Sequence, residues 1–165
     1  MAIRPNYRLQ VLVDMRERKK EEAERHLGEC MKALKAAQDR LHELQQELER
    51  MVAKREAKVR EYSEKTMRGE MSAQDAVNAK VFIERLKLQE ANQKNIIEGQ
   101  KAVIAQRKEE VDAARQDLIV ANQDLKALEK HKEKWQEKVK KDREAKEEDI
   151  MDEIAQTIHR TGGSV

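Results

Sequence analysis

Apolar residues recur in this chain at alternating steps of three and four. Leu27, Leu34, Leu41 and Leu48 interleave with Cys30, Ala37, Leu44 and Met51. With Val13 at heptad position a, that position continues through Lys20, Leu27, Leu34, Leu41, Leu48, Arg55 and Tyr62. Position d then holds Leu9, Arg16, Ala23, Cys30, Ala37, Leu44, Met51 and Lys58. A second run places Ile97, Ile104, Val111, Leu118, Leu125, Lys132 and Val139 at a, with Ala114, Ala121, Leu128 and Trp135 at d. Such spacing, sustained over several heptads, predicts two coiled-coil helices.

Local signals bound the helices. Pro5 disfavours helical backbone at Arg4, and Asn6 offers an N-cap. From there to Met67 only Gly28 is a weak breaker, costing ~1 kcal/mol against alanine. Gly69 can take the left-handed conformation that ends a helix. Ser72-Ala73-Gln74-Asp75 then reads as a capping box with the shorter Asp at its third position. The expectation is one all-α domain over residues 1–165, a long antiparallel two-helix coiled-coil hairpin. Helix one spans 6–67, the turn 68–72, helix two 73–159, and a flexible tail 160–165. A connection this short makes the helices antiparallel neighbours, and residues whose numbers add to about 140 face one another.

Two consequences follow from that register. Helix one is exhausted near residue 134, so helix two overhangs by ~25 residues, or ~37 Å. The overhang carries Trp135, Val139, Ile150, Met151, Ile154 and Ile158. The apolar phase shifts between Val139 and Ile150, a stutter that locally unwinds a left-handed supercoil. An apolar stripe with nothing in its own chain to cover it implies a partner. Toward the turn the seam becomes polar, with Arg55 and Lys58 on helix one and Glu90, Gln93, Gln100 and Arg107 on helix two. A polar seam predicts a looser turn half.

Composition narrows the function classes. Of 165 residues, 41% are charged and 2% aromatic, too few large apolar groups for a compact globule. Helical periodicity argues against disorder. Lys and Arg number 35 against 33 Asp and Glu, a net charge of +2 that does not describe a strongly basic nucleic-acid binder. The lone cysteine, Cys30, has no internal disulfide partner and reads as a small seam hydrophobe. No apolar run approaches ~18 residues, so no membrane insertion is expected. The first residues lack a signal-peptide core, which points to a cytoplasmic protein.

Candidate chemistry is sparse. His26, His42, His131 and His159 show no metal-ligand spacing. No phosphate-cradling loop, nucleophile elbow or carboxylate pair in a cleft is present. The expectation is a non-enzyme without cofactor or metal. Two basic clusters stand out: Arg16, Arg18, Lys19, Lys20 and Arg25, then a run of Lys and Arg from Lys130 to Lys146. In the expected register both lie at the open end, favouring an acidic partner there. Phe82, with Leu86 one turn on, reads either as packing across the hairpin or as an exposed anchor for another protein.

The opening Tyr7-Arg8-Leu9-Gln10-Val11-Leu12-Val13-Asp14-Met15-Arg16, then Lys20-Glu21-Glu22-Ala23, resembles the amino-terminal signature of the FliJ/YscO (SctO) stalk proteins of bacterial type III secretion. Ala127-Leu128-Glu129-Lys130-His131-Lys132-Glu133-Lys134 and Asp152-Glu153-Ile154-Ala155 are similar to the family's carboxyl-terminal part. The resemblance implies a hairpin whose open end enters the ring of the hexameric secretion ATPase. Its mid-to-turn region would touch the cytoplasmic domain of the membrane export gate. It assigns Arg16, Lys20, Trp135, Val139, Ile150 and Ile154 to the ATPase interface, and Phe82 and Leu86 to the gate interface. On helix one, only Tyr62 offers an aromatic for the gate surface. Export chaperones are further implied partners, and nucleic acid is not. The implied location is cytoplasmic, peripheral at the inner-membrane export apparatus, and the isolated chain is expected to be a monomer. The competing reading is a generic structural coiled coil that homodimerises through its seams; a helical nucleic-acid binder ranks third.

Overall fold

The computed structural model describes residues 6–162, with side chains through Arg160. Two helices, α1 (Gln10–Met67) and α2 (Ala73–Gly162), form the expected all-α hairpin. Packing divides the chain into a terminal unit, residues 1–25 with 116–165, and a turn unit, residues 26–115.

The turn unit is built as its local sequence dictates. At the end of α1, Gly69 adopts φ +70°, and Glu70 N donates to Lys65 O at 2.9 Å while Gly69 N donates to Thr66 O at 3.1 Å. This is the paired closure of a Schellman end, which satisfies carbonyls the helix leaves open. The capping box then starts α2. Asp75 N donates to Ser72 Oγ at 3.1 Å, and Ser72 N donates to Asp75 Oδ2 at 3.1 Å. Ser72 Oγ also donates to Asp75 Oδ2 at 2.7 Å, and this bond, with that from Ser72 N, holds the Asp75 carboxyl below its ordinary pKa.

Within this unit the seam alternates apolar and polar layers. Cys30, Val111 and Ala114 form a buried cluster with Leu27 and Leu34 against it. Ala114 is 1% exposed, and its small side chain lets α1 approach closely. Closer to the turn, Arg55 Nε meets Glu90 Oε1 at 2.6 Å, with Glu90 only 6% exposed. Gln93 Nε2 donates to Leu44 O at 3.0 Å, and Gln100 Nε2 donates to Ala37 O at 2.9 Å. All these pairs add to about 140, the register a short antiparallel turn imposes. Among the described residues no buried side-chain nitrogen or oxygen lacks a hydrogen-bond partner.

The terminal unit has its own core of Tyr7, Val13 and Leu125, with Leu9, Leu128 and Trp135 packed on it. Tyr7 corrects the expected helix start. Its ring is buried between His131 and Trp135, and Gln10 N donates to Tyr7 O at 3.0 Å in a turn that precedes the helix. The α-helix therefore begins at Gln10 rather than directly after Asn6, with a turn at Arg8 and Leu9 ahead of it. At the other end, α2 continues past His159 to Gly162. The remainder of the expected tail, 163–165, lies outside the described residues.

Candidate protein-binding surfaces

The terminal unit brings together most of the residues assigned to one interface, but not as a free surface. Arg16 Nη1 donates to Asp124 Oδ2 at 2.7 Å, so its charge is partly answered across the unit. Lys20 lies 3.8 Å from Glu24 on the same helix. The basic clusters share this unit without facing one another: Arg16 is opposite Asp124, whereas Lys132 Nζ donates to Gln10 Oε1 at 2.7 Å. The expected convergence is therefore offset along the seam, since antiparallel packing pairs the first cluster with residues before the second.

Trp135 requires the plainest correction. It was expected on an uncovered overhang, yet its ring lies 5.2 Å from that of Tyr7 at an interplanar angle of 50°. A hydrogen bond of 2.6 Å joins Tyr7 OH and His131 Nδ1 beside it. Tyr7, ahead of α1 and off the a and d positions, supplies the cover. Val139 is half-buried as well.

Beyond Val139 the picture changes: residues 140–160 are all exposed. Ile150 is 55% and Ile154 49% exposed, with Met151 exposed beside them. At 100° per residue these three share one side of α2. Ile150 and Ile154 are thus the assigned residues that present an open apolar surface.

The second candidate surface lies at the turn. Leu86, assigned to it, is 6% exposed and belongs to the seam. It occupies position d, two heptads before Gln100, and so points at α1 rather than outward. Phe82 is half-buried and lines a groove of about 470 Å³ with Tyr62, Met71 and Ala79. Tyr62 thus supplies an aromatic from α1 beside Phe82 from α2. It also borders a second groove of about 630 Å³, whose apolar wall includes Val59, Met67, Met71 and Ile83. None of these four is among the sequence-predicted site residues. Met67 and Met71 lie where the heptad breaks, so no periodic signal marked them; the methionine density around the Gly69 turn was the available clue.

Charge beside Tyr62 is fixed in place. Glu61 accepts from Lys58 Nζ at 2.8 Å and Lys65 Nζ at 3.0 Å, which holds its carboxyl below the ordinary pKa. The same bond to Glu61 raises the Lys58 ammonium. The Lys58 nitrogen also sits 6.0 Å from the Tyr62 ring centroid, a cation–π distance. The surface thus combines flexible apolar side chains with a charged border. No group of His, Cys, Asp and Glu with metal-binding geometry occurs among the described residues. No helix among them is long and apolar enough to cross a membrane.

Comparison with known proteins adds an independent line. No match was found among curated proteins. A solved structure described as that of a candidate YscO homolog from Chlamydia trachomatis matches with a TM-score of 0.80 at 21% identity, covering 96% of this chain and 98% of that one. At that identity the likeness speaks for the fold. The YscO-like family model matches residues 4–162. Both matches span nearly the whole hairpin, and the chain belongs to the YscO-like family, the YscO/FliJ type of type III secretion stalk-related proteins.

Proposed function

We propose that this protein is the central stalk of a type III export apparatus, linking the hexameric secretion ATPase to the membrane export gate. In this reading the terminal unit engages the ATPase and promotes ring assembly and turnover, and the turn unit engages the gate. The observation that carries the first half is the exposed apolar side of α2 at Ile150, Met151 and Ile154, where no other part of the described chain provides cover. Burying each such side chain is worth ~1.5–3 kcal/mol, enough for three of them to anchor a reversible contact. The second half is supported by the grooves around Tyr62 and Phe82. Neither surface offers an enclosed polar site, so the role is mechanical and regulatory rather than catalytic. The protein works in the cytoplasm, at the inner-membrane export apparatus.

The test is capture from native cytosol with the tagged full chain, asking whether the secretion ATPase is retained. A version ending after Lys140 keeps the Tyr7–Trp135 contact and removes the exposed stripe. It should stay helical while losing ATPase stimulation; stimulation at the full level refutes the assignment. For the gate, Phe82→Ala with Tyr62→Ala should weaken binding of the gate's cytoplasmic domain while helicity is retained.

A further inference from the structure

Past Val139 every residue of α2 through Arg160 is exposed, yet the helix continues. Burial of an amphipathic face, which supplies most helical stability in proteins, is missing there. The sequence around the last half-buried position compensates locally. Of the eleven residues Glu137–Glu147, only Val139 and Ala145 carry no charge. Taken one helical turn apart, the charges form five pairs: Glu137 with Lys141, Lys138 with Asp142, Lys140 with Glu144, Asp142 with Lys146, and Arg143 with Glu147. All five are opposite in sign, the arrangement that stabilises a helix without outside contacts. Lys140 Nζ lies 3.8 Å from Glu144 Oε1. The pattern is confined to this stretch. Just before it, Glu133 repels Glu137 and Lys134 repels Lys138, but there Tyr7 packs on Trp135 and supplies tertiary support. Just after it, Glu144 repels Glu148 and Glu148 repels Asp152.

Step length adds a second observation. Ile150 lies eleven residues beyond Val139, close to three turns. A continuous helix therefore places it ~17 Å further along and only ~20° around. The direction of the seam at Val139 is carried forward to Ile150.

We infer that Glu137–Glu147 is a charge-stapled arm, a single helix that keeps itself stiff and holds Ile150 on the Val139 side of α2, at a fixed distance from the packed core. It deepens the stalk reading, on which only its mechanical consequence rests: a load on Ile150 and Ile154 passes into the packed unit instead of being absorbed in a joint. The helical order itself belongs to the chain alone.

The experiment follows backbone hydrogen exchange by mass spectrometry in the full-length chain at low salt, in peptides covering residues 137–150. One variant carries Lys141→Asp with Asp142→Lys. Composition and net charge are unchanged, but the pairs 137–141, 138–142 and 142–146 become like-charged. A second variant carries Lys140→Glu with Glu144→Lys, which reverses one pair and leaves all five opposite in sign. Exchange in these peptides should be roughly tenfold faster in the first variant and no faster in the second. The difference should close at ~0.5 M salt, where exposed charges are screened. Residues 26–115 should exchange alike in all three chains. Equal exchange in the natural chain and the first variant overturns the arm, as does equal acceleration in both variants or acceleration that extends through residues 26–115. Failure of the natural chain to retain the secretion ATPase refutes the stalk reading and leaves the arm in place.

Discussion

The turn unit and the exposed end of the terminal unit treat charge in opposite ways. In the turn unit, polar groups enter the seam and are answered there: Glu90 by Arg55, Gln93 by the Leu44 carbonyl, Gln100 by that of Ala37. From Glu147 to Ile154, carboxylates and isoleucines are both exposed, and no ion pair forms there among the described residues. The first pattern describes a finished structure whose polar layers fix which residues face each other. The second is the surface that the proposed function assigns to a partner. In this molecule, polarity at a seam position signals register, and an exposed apolar stripe is where the proposed contact is to be tested.

The comparison breaks most visibly at the buried pair. Glu90→Ala strands the Arg55 guanidinium in a half-buried seam and should destabilise the chain by ~2–4 kcal/mol, read from thermal unfolding. Replacing both Arg55 and Glu90 by leucine should be close to neutral, because the desolvation cost disappears with the attraction. If the single and double variants melt together, the pair is not an answered charge and the contrast fails. Neutralising acids in 147–154 should instead leave the melting temperature level or raise it.

Close packing gives the next largest effect. Ala114 is the most buried residue of the Cys30–Val111 cluster, with Leu27 and Leu34 packed against that cluster. Ala114→Leu should cost ~1–3 kcal/mol through overpacking. A leucine in place of Ala145, where α2 is exposed, should change stability little. Equal costs at the two positions would mean that the end of α2 is packed after all.

Most of the fold was legible because coiled coils repeat their instructions. The a and d positions from Val13 to Leu128 fall in the seam, and Gly69 and Ser72–Asp75 close one helix and open the next as their chemistry predicts. The sites were read less well, for identifiable reasons. Leu86 was singled out by its spacing from Phe82, but the heptad phase already placed it at d. Trp135 is covered by Tyr7, which precedes the helix, where periodicity says nothing about packing. Met67 and Met71 fall in the break between patterns. Sequence periodicity located the seam; it did not locate what non-helical segments cover or expose.

Tyr7 provides a finer test of where the covered part of α2 ends. The protein has one tryptophan, so its fluorescence reports the Tyr7–Trp135 contact directly. Tyr7→Phe keeps the ring and removes the hydrogen bond to His131, which should cost ~0.5–1.5 kcal/mol and leave Trp135 emission nearly unshifted. Tyr7→Ala should move the emission to longer wavelength as water reaches the indole. No shift in the alanine variant would place Trp135 with the uncovered residues.

The smallest expected effect concerns the turn itself and comes with a definite sign. The Ser72 hydrogen bonds favour the ionised Asp75 and hold its pKa below the ordinary value. A carboxyl with a lowered folded-state pKa contributes stability that is present above its unfolded pKa and is lost as pH falls through the folded one. Titration from neutral into the acid range should therefore lower the melting temperature of the natural chain slightly more than that of Asp75→Asn. Asparagine can still accept from Ser72 N but carries no proton-linked charge, so its curve should lack that increment. Superimposable acid limbs would show that the turn, though geometrically complete, draws no stability from this charge, and that register rests on the Arg55–Glu90, Gln93 and Gln100 layers.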